Sequence, residues 1–133
     1  MKSHTTFAIG AVLAAAGIGL GAFGAHGLKD MVEPALLANW ETGVRYHMYG
    51  ALAMLAVSLR PEQRRAPWFL LAGAVVFGGS LYVMALTGAR WLGAVTPLGG
   101  VLLIVGLLIA AWDVRRAAAR PAAETPERVG VGH

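Results

Sequence analysis

Four apolar stretches, near residues 5–25, 40–59, 66–87 and 92–112, make up most of the chain and leave only short polar turns between them. At 1.5 Å per residue, a helix of about 20 residues crosses the roughly 30 Å of a bilayer's hydrocarbon. Backbone in lipid must satisfy its own hydrogen bonds, so runs of this kind are restricted to helix. They predict an all-α fold, an integral membrane four-helix bundle, in a single domain over residues 1–120. The remaining residues 121–133 carry Ala, Pro, Glu and Gly without apolar periodicity and read as a disordered tail. Of the 133 residues only 14% are charged and 57% are hydrophobic, where a soluble domain carries about a quarter charged residues.

An even number of crossings puts both termini on one side. That side collects Lys2, Arg60, Arg64, Arg65, Arg115, Arg116, Arg120 and Arg128, whereas the other has Lys29 and Arg90, with Arg45 near it. The positive-inside rule then predicts both termini in the cytoplasm of a multi-pass protein of the bacterial cytoplasmic (inner) membrane. The net charge of +4 resides in arginines that flank apolar segments instead of forming a basic face interleaved with aromatics. Nucleic acid is therefore not an expected partner. The absence of cysteine excludes disulfides, thiolate metal sites and cysteine nucleophiles.

The first stretch has features of a secretory signal, with Lys2 ahead of an apolar run and small residues around Ala22-Phe23-Gly24. Its run is longer than a signal core, and Gly10, Ala14, Gly17, Gly21 and Gly24 fall on one helical stripe. Such a stripe lets another backbone approach closely, a use only a retained helix has. Gly43, His47, Gly50 and Met54 form a similar stripe on the second stretch. These glycines are the expected helix-packing positions.

The second stretch also carries Glu41, Arg45, Tyr46 and His47, groups that hydrocarbon tolerates when they are paired or sheltered. Glu41 and Arg45 share a stripe with Met48 and Leu52. A carboxylate at the headgroup level is solvated cheaply, whereas a turn or two deeper it demands Arg45 or another partner, and the sequence leaves both readings open. With His26 closing the first helix, Tyr82 near the end of the third and Thr96-Pro97 reading as an N-cap and first helical position, the polar cluster is expected at the extracytoplasmic end. Its members are His26, Glu41, Arg45, Tyr46, His47, Tyr82 and Thr96. The plainest reading is a hydrogen-bonded plug tying helix ends together. His26 and His47 lack a third ligand at a known metal or haem spacing. Ser80 has no histidine predicted at its depth, so no nucleophile and base coincide. No catalytic group, metal or cofactor is expected.

Gly21-Ala-Phe-Gly-Ala-His26, Trp40 with Thr42-Gly43 and Tyr46, Gly79-Ser80-Leu81-Tyr82 with Ala85-Leu86, and Trp91 with Val95-Thr96-Pro97-Leu98-Gly99-Gly100 cover all four stretches in order. In these residues the chain resembles the domain of unknown function 423 family, the YgdD-like small inner-membrane proteins, related to eukaryotic transmembrane protein 256. The resemblance implies a four-helix inner-membrane protein without an established activity. Members usually carry glutamine after the tyrosine of the second helix and histidine three positions further on, where this chain has His47 and Gly50. The resemblance thus implies no ligand role for that histidine.

The sequence supports a structural or accessory component, in contact with the bilayer, that packs against other membrane protein subunits or against itself. The alternative is a small-molecule or ion carrier using Glu41, Arg45 and His47.

Overall fold

The computed structural model describes residues 1–120, so the expected tail 121–133 lies outside the described residues. Four helices are formed: α1 (Ser3–His26), α2 (Pro34–Ser58), α3 (Ala66–Thr87) and α4 (Thr96–Ala118). Proline occupies the first turn of α2, α3 and α4, where its missing N–H leaves no hydrogen bond unmade. For this reason α2 starts at Pro34 and not at Trp40. Residues Arg90–Ala94 form a separate 3₁₀ turn, so α4 begins near Pro97, as the Thr96-Pro97 pair suggested, and Trp91 lies in the lead-in ahead of it. α3 stops at Gly88, whose φ of 71° allows its N–H to reach the Met84 carbonyl at 2.8 Å, a left-handed ending that glycine adopts without steric cost.

α1, α3 and α4 are long and apolar enough to cross a membrane. α2 has 25 residues and lies between α1 and α3, but Glu41, Arg45 and the polar groups around them lower its hydropathy below that of the other three. Each helix packs against its neighbours in sequence, α1 on α2, α2 on α3 and α3 on α4. α2 touches α4 only narrowly, and α1 and α4 share no packed interface. The arrangement is therefore an antiparallel row, more open than the four-helix bundle expected.

Glycine sets the spacing along the row. A Cβ at Gly10 would meet Met54, one at Gly17 would meet Met48 with His47 behind it, and one at Gly24 would meet Trp40. Gly10, Gly17 and Gly24 repeat every seven residues, as do Met54, His47 and Trp40 opposite them, with Met48 beside His47 filling the middle hollow. Thus α1 presents hollows and α2 presents the side chains that fill them, as in knobs-into-holes packing. Gly43 and Gly50 of α2 receive Leu81 with Tyr82 and Ala74 of α3, while Gly73, Gly99 and Gly106 seat Leu103, Phe77 and Leu70 across the α3/α4 seam. Close approach of small residues drives helix association where the surrounding lipid is as apolar as the side chains. The stripe glycines of α1 are turned inward onto α2, with Gly21 only in ordinary contact with Val44, so that stripe forms no glycine surface for an outside partner. One apolar core gathers Leu28, Leu36, Trp40, Leu81, Met84 and Ala85 towards the end bearing the α1–α2 turn. The other gathers Met54, Leu70, Ala74 and Leu103 towards the opposite end.

Candidate functional site

His47 lies near the middle of α2, opposite the middle of α1 and α3, and is 7% exposed. Its Nε2 is 2.9 Å from the carbonyl oxygen of Leu13 in α1, and its Nδ1 is 3.0 Å from the hydroxyl of Tyr82 in α3. A carbonyl only accepts, so Nε2 carries the proton and donates to Leu13. In the neutral ring Nδ1 is then the acceptor, and the Tyr82 hydroxyl donates to it. The imidazole therefore bridges three helices with both nitrogens satisfied. One heptad earlier, Trp40 Nε1 donates to the Leu20 carbonyl at 2.9 Å, so two α2 side chains seven residues apart reach two α1 carbonyls with the same spacing. Gly17 and Gly24 follow those carbonyls by one turn. Without a Cβ there, the indole and the imidazole come close enough to share carbonyl oxygens already used within the helix.

Aromatic contacts continue the site towards the α1–α2 turn. The Trp40 ring lies 4.6 Å from that of Tyr82 and meets Phe23 edge-on at 5.5 Å. Each such pair adds about 0.5–1.5 kcal/mol beyond the area it buries. Across α3, Ser80 Oγ and Thr96 Oγ1 are 2.7 Å apart and buried, and each also lies within reach of a carbonyl of its own chain segment, Ser80 of Phe77 at 3.0 Å and Thr96 of Leu92 at 3.2 Å. With one proton apiece, one hydroxyl donates across to the other, which donates to its own carbonyl. Thr96 is thus not the N-cap expected of it, because its hydroxyl is turned back to the preceding turn and across to α3. No side-chain cap bond closes the start of α4.

The expected polar cluster is divided among three places. His47 and Tyr82 meet at mid-depth between α1, α2 and α3, and Thr96 joins Ser80 on the α3/α4 seam. His26, Glu41 and Arg45 are exposed. Glu41 and Arg45 form no salt bridge with each other or with another described residue, so of the two readings their spacing left open the structure has the unpaired one. Both extend from the outward face of α2, and Arg45 is roughly 160° around the helix from His47. Tyr46 is 37% exposed and stacks on Phe77 at 4.3 Å. Glu41, Arg45 and His47 therefore do not line one path. The ion pair that does form at this end joins Arg90, in the turn before α4, to Glu33, in the turn before α2, at 3.2 Å.

Among the described residues no three His, Asp or Glu side chains stand close enough together to hold a metal ion. Sequence reasoning missed the Trp40 and Ser80 bonds and the glycines of α3 and α4. The signal for the first was present in the seven-residue spacing that Trp40, His47 and Met54 share with Gly10, Gly17 and Gly24.

Residues 20–100 match the family model described as Protein of unknown function (DUF423). The chain is 43% identical over 108 residues to the UPF0382 membrane protein YwdK of Bacillus subtilis, covering 76% of this chain and 88% of that protein. A UPF0382 membrane protein of Staphylococcus epidermidis is 44% identical over 106 residues, covering 76% and 87%. The relationship reaches a yeast, since the UPF0382 membrane protein C1782.12c of Schizosaccharomyces pombe is 36% identical over 111 residues, covering 77% and 94%. No solved structure matches the chain.

Proposed function

The chain belongs to the DUF423 family of membrane proteins, and from that premise we propose that it is a non-enzymatic scaffold that pairs with a second copy of itself through the outward face of α2. All four helices cross the bilayer in this reading, with both termini in the cytoplasm. α2 crosses because it is as long as its neighbours and is flanked by α1 and α3, with its two most buried polar side chains bonded inside the row. The arginine-rich end, which carries Arg64, Arg65, Arg115 and Arg116, is the cytoplasmic one by the positive-inside rule.

The observation that carries the reading is the exposed stripe of Glu41, Arg45, Tyr49 and Leu52 on α2. A charged side chain on a lipid-facing helix costs about 2.5–3.5 kcal/mol at the centre of a span. Arg45 lies about 16 Å along α2 from Pro34. Its side chain points towards the start of the helix, as helical side chains do. Two copies related by a two-fold axis along the membrane normal set these stripes side by side and parallel. Glu41 and Arg45 are one turn apart, so each carboxylate then meets the other copy's guanidinium, and the same patch serves both sides of an isologous interface. Tyr49 and Leu52, 55% and 52% exposed, supply the apolar remainder.

The absence of cysteine makes the test direct. Leu52→Cys in the full chain, oxidised in membranes, is expected to form a disulfide-linked dimer, whereas Val12→Cys on the far side of α1 is not. Glu41→Arg or Arg45→Glu alone should abolish the Leu52 cross-link, and the exchanged pair Glu41→Arg/Arg45→Glu should restore it. Equal cross-linking from Leu52 and Val12, or no loss with either single charge reversal, refutes the α2 interface.

A further inference from the structure

At the opposite end of the row, the connection between α2 and α3 and the last turns of α4 enclose a cavity of about 330 Å³ lined by Glu62, Arg64, Arg65, Asp113, Arg116 and Arg120. The cavity is held by specific bonds. Gln63, 4% exposed, donates from Nε2 to the Ala110 carbonyl at 2.8 Å, and Arg65 reaches Asp113 at 3.2 Å. Both bonds fix the connection to α4, so the arginines converge from two elements onto one space. Of the four, only Arg65 has a carboxylate within salt-bridge distance among the described residues. Guanidinium groups present several donors in a plane, which suits them to the oxygens of a phosphate.

A second hollow, about 470 Å³ and open to the side, adjoins the first. Arg65 and Arg116 border both, and beyond them the second is lined by Val105, Leu108, Ile109 and Trp112. On α4, positions 105, 109, 112, 116 and 120 follow helical spacing and form one face. That face runs from apolar residues, through an exposed tryptophan, to arginine. Tryptophan is enriched at the level of lipid headgroups, and basic pockets at the ends of membrane helices bind anionic heads.

We propose that this end holds an anionic phospholipid, with its phosphate among Arg64, Arg65, Arg116 and Arg120 and one acyl chain along Val105, Leu108, Ile109 and Trp112. The site is separate from the α2 face and does not depend on self-association. A free phosphate compound would share the arginine contacts but would leave the apolar groove empty. The continuity of the two hollows therefore favours the lipid. Other positive charges at this end, such as Lys2 and Arg115, contribute to the field but do not line the cavity.

The test uses the full chain, stripped of lipid in mild detergent, and measures binding of phosphatidylglycerol, phosphatidylcholine and inorganic phosphate by native mass spectrometry. One phosphatidylglycerol per chain is expected, with phosphatidylcholine much weaker and excess inorganic phosphate unable to displace the lipid. Arg116→Gln/Arg120→Gln should weaken phosphatidylglycerol binding about 30-fold, at roughly one order of ten for each 1.4 kcal/mol and about 1 kcal/mol per arginine. Lys2→Gln/Arg115→Gln, which removes the same charge from this end outside the cavity, should retain it. Ile109→Gln should lower lipid binding while leaving the arginines in place. Equal binding of the two lipids, displacement by inorganic phosphate, or equal losses in the two double variants would overturn the proposal. Circular dichroism of each variant establishes that the helices are intact.

Discussion

Gly99→Ala tests the closest approach of a glycine to a neighbouring helix's backbone. A methyl group there would lie 2.7 Å from the Phe77 Cα and 2.8 Å from its Cβ, with the Phe77 amide nitrogen nearer still. Carbon atoms rest about 3.5–4.0 Å apart, so α4 must withdraw from α3 by about 1 Å. The obstacle is main chain, which no side-chain rotation can move. Withdrawal would stretch the 2.7 Å Ser80–Thr96 bond and loosen Leu103 in the hollow of Gly73. Overpacking of this kind costs about 1–3 kcal/mol, and the rigid obstacle puts Gly99→Ala near the upper end. Alanine's better helix propensity returns about 1 kcal/mol, leaving a net loss of about 2 kcal/mol. Gly79→Ala is the matched control, because a Cβ at Gly79 has no atom within 4 Å and gains the propensity term alone. The two variants should differ by about 3 kcal/mol, more than 100-fold in the unfolding equilibrium. Unfolding by sodium dodecyl sulfate in mixed micelles, followed by tryptophan fluorescence, measures that difference. If Gly99→Ala proves as stable as Gly79→Ala, the α3–α4 contact does not exist as described.

The same measurement reads three further substitutions. His47→Phe leaves the Tyr82 hydroxyl without its acceptor and should cost about 1–3 kcal/mol; Tyr82→Phe should cost less, and the double variant less than the sum, a coupling of about 0.5 kcal/mol or more. Additive losses would mean that the two side chains are not bonded. Gly17→Leu should disrupt the α1–α2 seam, whereas Gly21→Ala should be tolerated, since its Cβ would meet only Val44 at an ordinary 3.4 Å; the reverse order would place the wrong face of α1 against α2. Glu41→Gln should leave the stability of the isolated chain within about 0.5 kcal/mol of the parent, as for other exposed substitutions, and a larger loss would reveal an internal partner for the carboxylate.

Helix number and order were legible because apolar run length and proline positions act locally. The glycine stripe of α1 was legible for the same reason, but which neighbour it faced was not. Periodicity gives the face of a helix and says nothing of what lies across it. Glu41 and Arg45 show the limit most clearly. Their spacing permits an ion pair along one helix, yet the same spacing suits a reciprocal pair between two helices, and the side chains here point outward. Counted from Trp40, where the second apolar stretch begins, His47 falls near the extracytoplasmic end, but α2 begins six residues earlier, at Pro34. His47 is found at mid-depth, where the Leu13 carbonyl and the Tyr82 hydroxyl offset the cost of its burial. Those partners come from two other helices, and one is a backbone atom that no sequence pattern marks. The Ser80–Thr96 bond was hidden in the same way, since Thr96-Pro97 fits an N-cap as well as a cross-helix contact.

Because every helix in the row rests on the one that precedes it in the chain, assembly can keep pace with synthesis. α1 needs only α2, and α4 finds its seat on an α3 that has already been made. The benefit is greatest for α2, the least apolar of the four. If α2 crosses as proposed, the Leu20 and Leu13 carbonyls that receive the N–H groups of Trp40 and His47 are already in the membrane when it enters, and only the acceptor nitrogen of His47 waits for a later part of the chain, Tyr82 of α3.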